Sequence, residues 1–271
     1  VNKPASMTAA VWHGRKDIRL EQVAVPEPPQ PGWVQIKVHW CGICGSDLHE
    51  YLAGPVFIPM DSPHPLTGLQ GQCILGHEFS GIVEAVGRAV TGFAVGDRIT
   101  GDPNIACGRC SHCVNGRVNL CRNLKAIGIH RDGGFADYVI VPQKQAFLLP
   151  ADLDPMHGAF CEPLACCLHG IDLAEIRTGA SVVILGGGVI GLLTVQLARL
   201  AGATTVILVT RQASRRRLAE DLGATASIDP AAGDVIAQIA GETAITELRE
   251  IDAALSALGV DDAGAAIDPT I

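Results

Sequence analysis

Four cysteines lie in one short run, Cys107-x2-Cys110-x2-Cys113-x7-Cys121. Thiolates are soft donors, and a tetrahedral Zn²⁺ takes four of them at about 2.3 Å, with short spacers letting one loop wrap the ion. Gly108 and Gly116 stand inside the run and give the backbone the freedom a wrap requires. With sulfur at every position no place remains for a substrate, so the expected role is structural. A second donor set is dispersed: Cys44 in Cys-Gly-Ser-Asp-Leu-His, His77 and Glu78 in Gly-His-Glu-Phe-Ser-Gly, and Glu162 in Cys-Glu-Pro-Leu. A thiolate, an imidazole and a carboxylate with water in the remaining place would form a catalytic zinc that polarises an alcohol or carbonyl oxygen. Asp47 is the candidate acceptor that fixes the orientation of the imidazole from behind.

A third motif, Gly186-Gly187-Gly188-Val189-Ile190-Gly191, reads G-x-G-x-x-G. It follows the apolar run Ser181–Leu185 and precedes the helical pattern Leu192–Leu200, which is the setting of a dinucleotide fingerprint. Gly186 would make the turn, Gly188 would admit the pyrophosphate, and Gly191 would let helix and strand pack. Val189 and Ile190 then open a helix whose N-terminus offers donors and positive potential to phosphates. About 20 residues on, an acid would bind the ribose 2′-hydroxyl. Thr210 stands there instead, followed by Arg211. An acid repels a 2′-phosphate, whereas a hydroxyl beside a guanidinium accepts one. Arg215, with Arg216 and Arg217, crowds the first turn after Ser214, read here as the N-cap. Cations there oppose the helix dipole by about 0.3–1 kcal/mol each, a cost a bound phosphate would offset. A solvated basic helix face is the competing reading; NADP(H) is expected over NAD(H).

These residues need elements to place them. The first 150 residues read as β-rich, with strands over 34–38, 81–87 and 137–142 and proline-rich punctuation at 26–32. The pattern then changes: 156–177 reads as one helix, and 181–185, 206–209 and 214–222 read as strand, strand and helix of βαβ units. The boundary is expected near 150–156. The 271 residues are 48% hydrophobic and 18% charged, a globular composition, and the net charge of −8 argues against a nucleic-acid partner. Val1–Ala10 has no apolar leader pattern, and the apolar stretch Val182–Val195 is shorter than a bilayer span. Clustered cysteines without a leader point to metal chemistry in a reducing compartment, so a cytoplasmic protein without membrane partners is expected.

The run Gly76-His77-Glu78-x2-Gly81-x5-Gly87-x2-Val90 resembles the zinc signature of the zinc-containing medium-chain alcohol dehydrogenases. Trp40–Tyr51, Gly54–Pro59 and Pro63–Thr67 resemble most the 2,3-butanediol and polyol (sorbitol) dehydrogenase branch, and the likeness runs in register from residue 10 to about 230. It implies an α/β chain: a β-rich GroES-like catalytic domain over 1–155 with a structural zinc lobe at about 103–124, then a Rossmann domain, a doubly wound parallel sheet, over 156–271. By the same resemblance Cys44 and His77 are catalytic zinc ligands, and Glu78 is a nearby carboxylate able to enter the coordination sphere. Glu162 is the remaining ligand, directly or through water. Ser46 is the hydroxyl that takes the substrate proton, and His49 is the outer end of the relay. Two zinc ions per chain follow, with Cys41, Cys73, Cys161, Cys166 and Cys167 left as small core residues. Homo-oligomer formation through the nucleotide domain is implied as well.

The residues from Ser181 onward are too few for six strand–helix units, which need about 150 at roughly 25 apiece. No apolar fourth strand follows Ile239-Ala240-Gly241, while Ile245–Leu255 and Ala265–Pro269 resemble the closing segments of family members. The nucleotide domain is therefore expected to lack part of its second half, with a family-like tail over 243–271. The expected activity is hydride transfer between a secondary alcohol or vicinal diol, of the 2,3-butanediol and acetoin kind, and NAD(P). The rivals are a sorbitol- or threonine-type dehydrogenase and a deleted, catalytically impaired zinc-binding relative.

Overall fold

The structure, a computed structural model, describes residues 4–243. The chain divides into two compact units, Val1–Glu162 and Pro163–Ile271. In the first, β1 (Ser6–Gly14) and β2 (Asp17–Ala24) form a hairpin, and β3 (Trp33–Gly42) leads straight into α1 (Gly45–Ala53). Then come β4 (Cys73–Ile74), β5 (Glu78–Val86), β6 (Arg98–Gly101), β7 (Asn104–Ile105), α2 (Ser111–Val114), β8 (Lys125–Ala126), β9 (Tyr138–Pro142), β10 (Ala146–Leu148) and α3 (Pro155–Gly158). The strands pair as a five-stranded sheet in the order β10-β6-β5-β3-β9, a three-stranded sheet β2-β1-β4, and the short ribbon β7-β8.

The period-two strands bury one face. Val34 and Ile36 of β3, Phe79 and Val83 of β5, Ile99 of β6 and Val141 of β9 make one cluster, each large apolar side chain contributing about 1.5–3 kcal/mol by leaving water. Because β5 lies between β3 and β6, its backbone is bonded on both sides. The β3–β5 register sets Gly42 opposite Glu78 and Cys41 opposite Phe79. That pairing carries the chain after Gly42 to the neighbourhood of His77 and Glu78.

The second unit contains α4 (Cys161–Leu173, which begins at the boundary), β11 (Ser181–Leu185), α5 (Val189–Leu200), β12 (Thr205–Val209), α6 (Ala213–Asp221), β13 (Ala226–Ile228) and α7 (Val235–Glu242). The strands are parallel in the order β11-β12-β13, with Ser181 to Leu185 paired to Thr205 to Val209. This is βαβαβ, with a core of Ile184, Leu192, Val195, Val206 and Leu208. The tail expected beyond Thr243 lies outside the described residues.

Three local expectations are corrected. The single helix over 156–177 is two, α3 and α4, separated at Ala159–Phe160. Pro163 explains the break: its ring clashes with the carbonyl four residues back and it has no N–H to donate, so Ala159 and Pro163 cannot share one helix interior. Ser214 is not the N-cap of α6; Gln212 is, which leaves Arg215 still in the first turn. Cys166 is exposed rather than in the core. On α4 the buried residues are Pro163, Cys167 and Ile171, four apart, so Cys166 falls off that face. Among the described residues no helix is long and apolar enough to cross a membrane.

Candidate active site and metal centres

Cys44 is the N-cap of α1, placed there because β3 ends one residue after Cys41 and the chain turns at Ile43. Its backbone N–H donates to Asp47 Oδ2 at 2.9 Å, so the acid three residues into the helix closes the first turn. His77 and Glu78 come from the start of β5, and both are buried. One donor atom each from Cys44, His77 and Glu78 lies within 4.8 Å of the others. The space between β3 and β5 is tight here: a Cβ at Gly42 would come 2.2 Å from Glu78 Oε2. Only glycine lets that carboxylate sit against the strand.

The electrostatics of the three groups are coupled. The imidazole of His77 holds the Cys44 thiol below its ordinary value against the cost of burial, with Ser46 adding to the effect. For His77 itself burial works against the charged form, but the Cys44 thiol and the charges of Asp47, Cys44 and Glu162 outweigh it and raise the ring to about 9. Burial pushes Glu78 up. Asp47 is also raised by burial, while His77 and the backbone N–H groups of Cys44 and Gly76 pull the other way.

Without a cation, three polarised groups crowd one buried spot and His77 Nδ1 has no hydrogen-bond partner. Asp47 Oδ1 lies 3.7 Å from it, too far for a hydrogen bond. Ser46 Oγ sits 3.5 Å from the other ring nitrogen, Nε2. A soft thiolate, an imidazole and a carboxylate match the ligand chemistry of an open zinc site. Glu162, in the first turn of α4, lies outside the three-residue group, yet its charge reaches His77. His49 is on the exposed side of α1.

The four cysteines of the run do converge. Cys110 Sγ is 3.5 Å from Cys113 Sγ and 4.0 Å from Cys121 Sγ, and Cys107 and Cys113 are 4.0 Å apart. Four sulfurs at about 2.3 Å from one ion would be spaced by about 3.8 Å, so the loop is already near that size. None is in a disulfide. The backbone N–H groups of Arg109 and Cys110 stabilise the Cys107 thiolate, lowering it to about 6, whereas desolvation and its sulfur neighbours push Cys113 up to about 12.

In the second unit the parallel register brings the carboxyl ends of β11 and β12 together. Gly186 N–H donates to Val209 O at 2.9 Å, and the glycine loop therefore lies beside Thr210. Gly188 is the N-cap of α5 and gives no side-chain cap to that helix's first N–H groups. A Cβ at Gly191 would fall 1.9 Å from the Gly186 carbonyl, so close helix–strand packing demands glycine there. Arg216 is spent on structure: it pairs with Asp229 at 3.0 Å and donates to the carbonyls of Thr210 and Arg211. Arg215 packs its Cβ near Gly187, beside Thr210.

Comparison with known proteins decides the family. Residues 30–151 match the alcohol dehydrogenase GroES-like domain and 189–268 match the zinc-binding dehydrogenase family. The chain is 44% identical to the (R,R)-butanediol dehydrogenase of Bacillus subtilis over 239 residues, 88% of this chain and 67% of that one. This chain is a zinc-type alcohol dehydrogenase family member. A sorbitol dehydrogenase of Halalkalibacterium halodurans is 40% identical over 78% of this chain and 60% of its own. A structure described as a zinc-binding dehydrogenase of Sinorhizobium meliloti 1021 bound to NADP is 60% identical, with TM-score 0.78 over 86% of this chain and 64% of that one. This zinc-type dehydrogenase thus has the expected GroES-like and Rossmann-type parts and spans about two thirds of the length of these relatives.

The sequence pointed to Cys44, His77, Glu78, the four-cysteine run and the glycine loop. It did not single out Gly42 or Glu50, a fully buried acid on α1 whose only sequence signal is its place one turn after Asp47.

Proposed function

We propose that this chain interconverts a secondary alcohol or vicinal diol and its ketone with NADP(H), using one zinc ion at Cys44, His77 and Glu78 and a second, structural one in the four-cysteine run. The observation that carries this reading is the convergence of a thiol, an imidazole and a carboxylate, from segments far apart in sequence, within 4.8 Å. When bound, zinc supplies a Lewis acid for the substrate oxygen and the nicotinamide supplies the hydride acceptor. Cys44 and His77 would hold the ion, with Glu78 able to join them and Glu162 completing the set directly or through water. Asp47, fixed by the N–H of Cys44 and 3.7 Å from His77 Nδ1, would orient the ring from behind and favour the proton on Nδ1, leaving Nε2 as the nitrogen that would hold the ion. Ser46 Oγ, beside His77 Nε2, takes the proton of the substrate hydroxyl, and exposed His49 passes it to solvent.

Catalysis falls to residues 1–155 and nucleotide binding to 156–271 in this reading. Gly186, Gly188, Val189, Ile190 and Gly191 cradle the pyrophosphate, while Thr210, Arg211 and Arg215 face the 2′-phosphate. The relative described with NADP bound, 60% identical, supports the cofactor, and the butanediol dehydrogenase relative supports the substrate class. The sorbitol dehydrogenase relative favours acyclic polyols as the second reading, which a panel of diols, polyols and amino alcohols separates.

The test is a titration of the purified protein with NADPH and NADH, followed by NADPH-linked reduction of acetoin or diacetyl. NADPH is expected to bind at least about tenfold tighter, the worth of one charge-assisted contact. Equal affinities would overturn the 2′-phosphate assignment. Two zinc ions bound with no turnover on any substrate would replace this reading with that of a catalytically impaired zinc-binding relative.

A further inference from the structure

Helix α1 is inside out. Its buried residues are the acids Asp47 and Glu50, while Leu48 and Leu52 are 50% and 43% exposed. A buried carboxylate costs several kcal/mol unless donors replace its water. Asp47 has the amides of Cys44 and Gly76 as donors and the charge of the His77 imidazole nearby, 3.7 Å away. Glu50, only 1% exposed, has three successive backbone amides: Val56 N–H donates to Oε2 at 3.1 Å, and Phe57 and Ile58 N–H donate to Oε1, the latter at 3.0 Å. Its own carbonyl accepts from the Trp12 indole at 3.1 Å and from Gly54 N–H at 3.0 Å. One residue therefore ties α1 to the 54–58 loop and to β1.

The two acids lie three apart, on one helix face. One is turned to the His77 side and the other to the loop. A helix pinned at two points one turn apart can neither roll about its axis nor slide along it. Cys44, as N-cap, and Ser46 and Asp47, in the first turn, move with that helix.

We propose that Glu50 is a positioning residue for the Cys44–His77–Glu78 centre, acting through α1: its carboxylate sets the roll and height of the helix that presents Cys44 and Asp47 to His77. This rests on the reading of that centre as a metal site. Among the described residues the Glu50 carboxylate is hydrogen-bonded to the backbone amides of Val56, Phe57 and Ile58 and to none of the three donors, so its effect passes through the geometry of α1.

The experiment is a cobalt titration of the full chain, read by thiolate-to-cobalt absorption, on wild type, Glu50→Ala, Glu50→Gln and Cys44→Ala, with melting temperature measured alongside. Glu50→Ala is expected to weaken cobalt at the dispersed centre by about 10- to 100-fold, the range for outer-shell partners of metal ligands, while the four-cysteine site binds as before. Glu50→Gln keeps one oxygen for Phe57 and Ile58 but turns an NH₂ towards Val56 N–H, so an intermediate loss is expected. Glu50 variants that melt earlier yet bind cobalt with wild-type affinity and spectrum would overturn the proposal, since a merely structural role predicts that. If Glu50→Ala does not fold, Glu50→Gln decides by the same criterion. A Cys44→Ala protein that binds as much cobalt as wild type would overturn the metal site itself, an outcome distinct from failure at Glu50.

Discussion

The two donor clusters of the first unit are built by opposite means. The four-cysteine cluster is made by one stretch of chain, from Cys107 to Cys121, with the single-turn helix α2 and one 3₁₀ turn, Val118–Leu120, inside it and most of its side chains at least partly exposed. The Cys44–His77–Glu78 centre is made by the sheet: the β3–β5 register brings Gly42 to Glu78, the α1 N-cap Cys44 follows two residues later, and two of the three donors are buried. In the proposed reading a cation would hold the loop of the first cluster together. The second is a consequence of the core and would keep its shape with the cation gone. A local site is thus a matter of stability, and a dispersed one a matter of chemistry.

The sharpest way to break this contrast is to remove one sulfur from each cluster. Cys44→Ala is expected to lose the dispersed ion and to lower alcohol oxidation on the order of 10³-fold, taking the Lewis acid as worth several kcal/mol, with little change in melting temperature. Cys113→Ala is expected to do the reverse: near-normal turnover per folded molecule, but tryptic cleavage at exposed Arg109, Arg117 and Arg122 that wild type resists. Zinc content measured with each assay assigns the loss. Equal protease sensitivity of the two variants would show that the clusters are not built differently.

A smaller effect sharpens the same point from behind the ligand. Asp47→Asn keeps one acceptor oxygen for the Cys44 amide but removes the charge that lies 3.7 Å from His77 Nδ1. Metal affinity at the dispersed centre should fall about 10- to 100-fold, leaving the four-cysteine cluster untouched. Competition with a chelator of known affinity measures it, and an unchanged affinity would mean that Asp47 only caps the helix.

How legible these features are follows from their physics. Parts of strands β3, β5 and β9 show in the sequence through apolar residues at every second position, whereas β1 and β2, nine and eight residues long, are not picked out by that signal. Strands β4, β7 and β8 are two residues each, too short for any period. The helix α1 is invisible to the same logic: its buried positions are Asp47 and Glu50, and acids on a helix read as solvent-facing. The dense cysteine run and Gly-His-Glu are legible because so few other chemistries need those types at those spacings. Whether Glu162 belongs to the Cys44–His77–Glu78 group is not written in Cys-Glu-Pro-Leu, because its place depends on where α4 begins, and that in turn depends on the break forced by Pro163.

The smallest expected effect concerns how the four-cysteine lobe is anchored where its chain returns. The amide of Ala126, at the end of β8, donates to His130 Nδ1 at 3.0 Å, and the His130 ring stacks on His64 with centroids 4.4 Å apart. Nδ1 can accept that bond only while it carries no proton. Burial, and then the neighbouring His64, hold His130 below its ordinary value, so the unfolded chain takes up the proton more readily than the folded one. The stability contributed here is full above about pH 6.5, the unperturbed value, and is lost as pH falls through that value towards the lower folded one. Melting temperature should therefore drop more steeply between pH 7 and 5 in wild type than in His130→Asn, whose side-chain oxygen can still accept from Ala126 but does not titrate. Cobalt binding at Cys44, His77 and Glu78 should be the same in both proteins at pH 8, because that centre is held by the sheet. Parallel melting curves across the pH range would place the acid sensitivity of the lobe elsewhere, and a cobalt spectrum altered by His130→Asn would mean that the two clusters share more of the fold than their separate construction implies.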